Sequence, residues 1–259
     1  MSEKVSWSTL GPCTKSLVLG LPVDCMDDYC GQLLYRLKQG LGTHVVTLNA
    51  EMVMQGEQNH LLANIIRKAE LVIPDGAGVV LYLKLKGQSV KRCPGIELAE
   101  NLLWQAAKQG QDNLVFFYGG KPGVGIRAAD TWQQKVPELA IAERGVSRIA
   151  TQHGYLSQAE ESELLHTLKQ LQPRLIFVGL GVPRQELWIA EHRHICPEAI
   201  WIGIGGSLDI WAGVKERAPA WFCENSLEWL YRLYQEPWRW RRMLVLPKFA
   251  WKTLLDMKF

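Results

Sequence analysis

Short apolar runs recur along this chain, each closed by glycine or a polar turn and most followed by a stretch with helical spacing. SLVLG (16–20), HVVTLNA (44–50), LVI (71–73), NLVFFYGG (113–120), LAIAERG (139–145), RLIFVGLG (174–181) and AIWIGIGG (199–206) read as strands, HVVTLNA passing into a polar turn. Between them DDYCGQLLYRLKQ (27–39) sets Leu33, Leu34 and Leu37 on one helical face before Gly40 ends the run. HLLANIIRKA (60–69), Gly95 to Gln109 and VGIRAADTWQQK (124–135) repeat that pattern. SQAEESELLHTLKQL (157–171) opens with a capping box, Ser157 and Glu160, and PRQELWIAEHRHI (183–195) carries Pro183 near its first turn. Strands alternating with helices predict an α/β fold, a parallel Rossmann-like sheet with helices on both faces.

The last 39 residues break the pattern. They hold five of the eleven tryptophans and read as two or three helices broken near Pro237 and Pro247. The expected organisation is a leader (1–15), an α/β domain (16–218) and a C-terminal helical, basic and aromatic appendage (219–259). Charge sharpens this division. From Tyr231 onward seven Lys/Arg face only Glu236 and Asp256, a net +5, which leaves the rest of the chain at −2 out of a total of +3. Such asymmetry points to an anionic partner. The aromatic tail has three readings: core packing, nucleic-acid binding or a membrane surface, which Trp with Arg and Lys on amphipathic helices suits. Nucleic acid fits less well, because the remainder is not basic and no nucleic-acid motif is present.

No apolar run reaches 18 residues, so no membrane span is expected. Cys13, Cys25, Cys30, Cys93, Cys196 and Cys223 form no CxxC pair and no zinc spacing; with no secretory signal, reduced thiols in a cytoplasmic protein are expected. The six histidines lack metal spacing and are expected in solvated or capping roles.

Candidate chemistry sits at strand ends, where α/β sheets bind ligands. In LVIPDGAGVVLYLKLKG (71–87) a lone carboxylate, Asp75, stands where strand meets helix. It is either the helix N-cap or a functional acid. Thr47 and Asn49 close the preceding strand and read as turn formers or as ligands for sugar hydroxyls. Arg92 is a surface charge or, in a cleft, a fork for phosphate. Gln185 and Glu186 open a helix whose first turn is expected to be polar anyway, and Asp209 follows a Gly-Gly turn that it can close as an Asx residue. The glycine-rich ends GGKPGVG, GLGVPRQE and GIGGSLDIWAG supply Gly119, Gly120, Gly179, Gly181, Gly205 and Gly206, whose backbone N–H groups can approach a nucleotide phosphate. GGKPGVG is not GxGxxG, and there is no Walker A sequence.

In this order, VVTLNAEMV, LVIPDGAGVV, KRCPGIEL, FFYGGKPGVG, HGY, IFVGLGVPRQELWI, GIGGSLDIWAG, RAPAW and LEWLYRLYQEPWRWRRML resemble the WecG/TagA/CpsF family of bacterial glycosyltransferases, from about Leu19 to Met243. The residues after Leu246 have no match in that resemblance. It implies an inverting transfer, without metal or other cofactor, of an N-acetylmannosamine-type or related sugar from a UDP donor. The acceptor it implies is a polyprenyl-diphosphate-linked sugar in cell-envelope polysaccharide synthesis. It implies that Asp75 is the general base and that Thr47 and Asn49 line the sugar pocket. Arg92, Gln185 and Asp209 would hold donor phosphate, sugar or nucleoside. Arg232, Arg239 and Arg242 would bind the lipid diphosphate from the appendage. The enzyme is then expected on the inner face of the cell membrane, with self-association as an alternative cover for its aromatic tail. Two other classes compete: a non-catalytic nucleotide-sugar-binding adaptor, and a Rossmann-type oxidoreductase, which lacks its glycine fingerprint here.

Overall fold

The computed structural model describes residues 13–108, 113–139 and 150–257. The described chain opens with an antiparallel hairpin, β1 (Thr14–Val18) and β2 (Leu21–Cys25), turned by Leu19 and Gly20, both at positive φ. Its first strand starts two residues before the expected boundary. Pro22 and Asp24 disguise the second, being poor strand formers. Then follow α1 (Tyr29–Lys38), β3 (Thr43–Leu48), α2 (Ala50–Gln58), α3 (His60–Lys68), β4 (Leu71–Pro74), α4 (Ala77–Leu85) and α5 (Gly95–Lys108). Next come β5 (Val115–Gly119), α6 (Val124–Lys135), β6 (Ala150–Gln152), α7 (Gln158–Leu171), β7 (Leu175–Gly179), α8 (Arg184–His192), β8 (Ile200–Gly203) and α9 (Ser207–Trp211). The strand expected at 139–145 falls on 140–145, outside the described residues. The turn expected after HVVTLN is instead the start of α2, because the Asn49 side chain accepts the Met52 N–H at 3.0 Å and caps a helix there.

Among the described residues β3 to β8 form a six-stranded parallel sheet in the order β4-β3-β8-β7-β5-β6. β3, β4, β5, β7 and β8 are buried on both faces, which explains their apolar runs. Alternate residues serve opposite layers. Val45, Ile73, Val115, Phe117, Phe177 and Ile202 meet Leu33, Leu37, Leu102, Trp132 and Trp211 on one face. On the other, Val46, Leu48 and Val72 meet α2, α3 and α4, while Phe116, Ile176, Val178 and Trp201 meet Leu164, Leu168, Trp188 and Ile189. His44, expected to be solvated or capping, is buried on β3, and burial drops its pKa to about 3. The buried Asp24 of β2 reaches β4, where its Oδ2 accepts the Val72 N–H at 2.8 Å.

The appendage comprises α10 (Ala220–Glu224), α11 (Glu228–Gln235), a 3-10 turn at Pro237–Arg239, α12 (Trp240–Met243) and α13 (Val245–Asp256). Pro237 breaks the chain as expected. The break expected near Pro247 is at Leu244, between α12 and α13, and Pro247 itself lies in the first turn of α13, where a missing N–H costs no helical bond. Helix α13 returns to α2 and α4. Phe249 enters the core there, and the Tyr82 hydroxyl donates to Asp256 Oδ2 at 2.5 Å. No helix among the described residues is long and apolar enough to cross a membrane. All six cysteines are free thiols.

Candidate active site

Asp75 leaves the sheet at the C-terminal end of β4, its N–H donating to the Leu48 carbonyl of β3 at 3.1 Å. It does not cap α4, whose N-cap is Gly76 without a side-chain bond. Its Oδ1 instead accepts the N–H of Gly95, the first residue of α5, at 2.8 Å. A negative charge at a helix N-terminus is favourable. Only glycine fits at 95, since a Cβ there would lie 2.7 Å from Thr47 Cγ2. The start of α5 is thereby drawn onto the ends of β3 and β4.

Arg92 completes this corner. Its Nε donates to the Asp75 carbonyl oxygen at 2.6 Å, and its Nη2 pairs with Glu228 Oε2 of α11 at 2.6 Å. The other oxygen of Glu228 takes Arg232 Nη2 at 3.1 Å. Burial pushes the Asp75 carboxyl above the usual range, against the pull of the Gly95 N–H, Arg92 and Arg232; Glu228 adds to the rise.

Thr47 is buried, and its Oγ1 donates to the Gly203 carbonyl at 3.1 Å, tying β3 to β8. From β3 the chain runs outward to the edge strand β4, while β8 is entered from β7 on its other side. Both steps run toward the β4 edge, and the winding reverses between β5 and β7. At the β3/β8 seam the chain leaves β3 into α2 on one face and β8 into α9 on the other, so the strand ends part there as in the ligand crevice of an open α/β sheet. Asn49 stands beside Gly76, though its side-chain oxygen is spent on the α2 cap.

The glycine turns converge as the sequence suggested. A Cβ on Gly119 would sit 2.4 Å from the Gly179 carbonyl, and one on Gly179 would sit 2.8 Å from that of Gly205. Gly206 N-caps α9. Gln185 is buried, and its Oε1 accepts from both Gly181 N and Gly205 N at 3.1 Å, stapling two of the turns together. Its Nε2 donates to Glu186 Oε1 at 2.8 Å. Glu186, expected only as a polar first turn, is fully buried; burial raises its pKa to about 7, and its Oε2 has no partner among the described residues. The signal was spacing: positions 185 and 186 precede the buried Ile189 by four and three residues, on one helical face.

Asp209 pairs with Lys215 at 2.8 Å, Lys215 with Glu236 at 3.2 Å, and Glu236 with Arg239 at 2.8 Å. Arg242 pairs with Glu51 of α2 at 2.6 Å. The three appendage arginines thus face the strand-end side of the domain, each held by a carboxylate. Glu228 itself was invisible beforehand, because nothing in local spacing links it to Arg92, 136 positions away.

A family model described as "Glycosyl transferase WecG/TagA/CpsF family" matches residues 17–259. The chain belongs to the WecG/TagA/CpsF family. Its similar relatives include N-acetylglucosaminyldiphosphoundecaprenol N-acetyl-beta-D-mannosaminyltransferases of Bacillus spizizenii (36% identical; 84% of this chain, 81% of the relative) and Bacillus subtilis (32%; 86% and 83%). The enzyme of that name from Staphylococcus aureus is 34% identical over 80% of this chain and 78% of its own. This WecG/TagA/CpsF glycosyltransferase carries the family pattern through its appendage to residue 259, past the point where the first resemblance stopped.

Proposed function

We propose that this glycosyltransferase moves an N-acetylmannosamine-type or related sugar, uronic acids included, from a UDP donor to a polyprenyl-diphosphate-linked acceptor sugar, with inversion and without a metal. The observation that carries the reading is the Asp75 carboxyl, set at the end of β4 with the Gly95 N–H on its Oδ1 and Arg92 on its carbonyl, and raised in pKa by burial. The names of the relatives support the acceptor and the sugar class.

In this reading Asp75 takes the proton of the acceptor hydroxyl as its oxygen bonds to the anomeric carbon and the bond to UDP breaks. A positioned base of this kind contributes roughly 10²–10⁴-fold. The departing diphosphate gains negative charge, which Arg92 and the appendage arginines would meet, since the N–H groups of Gly120, Gly181 and Gly205 already have acceptors within the protein. Among the described residues no group of three or more His, Cys, Asp or Glu is placed to hold a metal ion. Exposed Trp238 and Trp251, each followed in the chain by a basic residue, Arg239 and Lys252, support a peripheral seat on the inner face of the cell membrane.

The test is UDP release with a GlcNAc-diphosphate-lipid, a panel of UDP sugars and EDTA. Acceptor-dependent release from one donor is the expected result. Silence across the panel, with UDP still raising the melting temperature, would favour the non-catalytic adaptor.

A further inference from the structure

The cations that the proposed reaction assigns to phosphate are already paired with carboxylates. Glu228 bridges Arg92 and Arg232, Glu236 holds Arg239, and Glu51 holds Arg242. Glu228 is the innermost of the three carboxylates, only 9% exposed. It divides its oxygens between two guanidiniums, Oε2 to Arg92 at 2.6 Å and Oε1 to Arg232 at 3.1 Å. A phosphate group binds arginines in the same way, oxygen by oxygen. Burial opposes ionisation of Glu228, but Arg232 and Arg92 outweigh it and hold the carboxyl below its usual range. It is therefore an anion at neutral pH.

We propose that Glu228 is an internal anion that occupies the Arg92–Arg232 pair and has to be displaced by the diphosphate of a substrate. It is then a specificity-determining residue: singly charged anions compete poorly with it, and diphosphates succeed. The inference rests on the transferase reading above. Arg92 keeps its bond to the Asp75 carbonyl during the exchange, so what it grips changes while its place beside the base does not. Glu228 also ties the first turn of α11 to Arg92, so displacement breaks that tie while Tyr231 and Gln235 still hold the helix to Glu216.

The experiment is calorimetric titration of the full chain with inorganic pyrophosphate and orthophosphate. Wild type, Glu228→Gln and Glu57→Gln are compared, with thermal melts as the check on folding. Glu57 pairs with Lys252, outside the Arg92–Arg232 pair, and controls for a change in net charge. Glu228→Gln should bind pyrophosphate roughly tenfold tighter and should discriminate less between the two anions, because one competing charge has gone. Glu57→Gln should match wild type. Damage to the site weakens binding, so tightening has no trivial structural origin. Equal or weaker affinity in Glu228→Gln, equal tightening in Glu57→Gln, or no pyrophosphate binding by either wild type or Glu228→Gln overturns the proposal. The UDP-release assay separates the two readings. Tightening without any turnover removes the transferase function and leaves the internal anion. Turnover with unchanged pyrophosphate affinity does the reverse.

Discussion

In the α/β domain Trp132, Trp188, Trp201 and Trp211 are at most 7% exposed, with Trp104 open at 44% as it lies edge-on to Trp132, whereas in the appendage Trp221, Trp229, Trp238, Trp240 and Trp251 range from 40% to 72%. The domain packs its rings against one another: Trp211 meets Trp132 edge-on at 5.6 Å and Phe177 at 6.1 Å. The appendage turns most of its rings outward and is fastened by charge, through Arg92–Glu228, Arg242–Glu51 and Lys252–Glu57, with Phe249 as its buried peg. One residue type thus serves two purposes. In the domain it mostly fills volume; in the appendage it faces outward, as the membrane seat proposed above would use it. The two regions should answer differently to salt, since exposed ion pairs are screened and packed rings are not.

The largest expected effect separates chemistry from fastening. Asp75→Asn should cut turnover by roughly 10²–10⁴-fold while leaving the melt unchanged, because an amide still accepts the Gly95 N–H. The base works only when ionised, and its folded pKa is raised. In wild type kcat/KM should therefore climb with pH through a value above the ordinary carboxylate range, and fall below it. A purified, folded Asn variant with wild-type rates would end the general-base assignment.

The comparison itself is tested by truncating one ring on each side. Trp201→Ala should cost about 3–5 kcal/mol in chemical denaturation. Trp238→Ala should stay within about 0.5 kcal/mol, yet weaken sedimentation with anionic vesicles. Equal losses of stability would erase the distinction. Glu186 offers a test inside the domain. Its pKa is raised from 4.5 to about 7, so the folded state holds a proton that the unfolded chain releases, and stability should fall as pH rises from about 4.5 to about 7. Glu186→Gln should flatten that slope; an unchanged slope would assign it to another group. The smallest effect belongs to fastening. Lys252→Ala removes one half-exposed pair and should cost only about 0.2–1 kcal/mol by the same denaturation.

Much of the domain was legible because parallel strands are written as apolar runs and their helices as spaced ones. Ser157 with Glu160, and the glycines closing β5, β7 and β8, each announced an element that is present. What stayed hidden is non-local. LPVDC carries no strand signal until it pairs with β1, and Asn49 reads as a turn former until its side chain is seen to cap α2. Asp75 was legible as a strand-end acid, but its partner, the N–H of Gly95, lies 20 residues on and belongs to another helix. Thr47 and Gln185 were legible as polar residues at strand ends; that both are buried and bonded to backbone required the neighbouring strand and turns. Charge composition marked the appendage as basic, yet it gave no hint that its arginines would be matched by acids.

The bond from Asp24 to the Val72 N–H also bears on how these molecules behave in a crowd. β4 is the outermost strand on its side of the sheet, and a bare row of outward N–H groups there would be a template for a second chain. The hairpin lies along that margin and supplies a carboxylate to one of those donors. At the far margin, the described part of β6 is only three residues long. With the β4 margin guarded, copies can lie close together on that side without their sheets knitting.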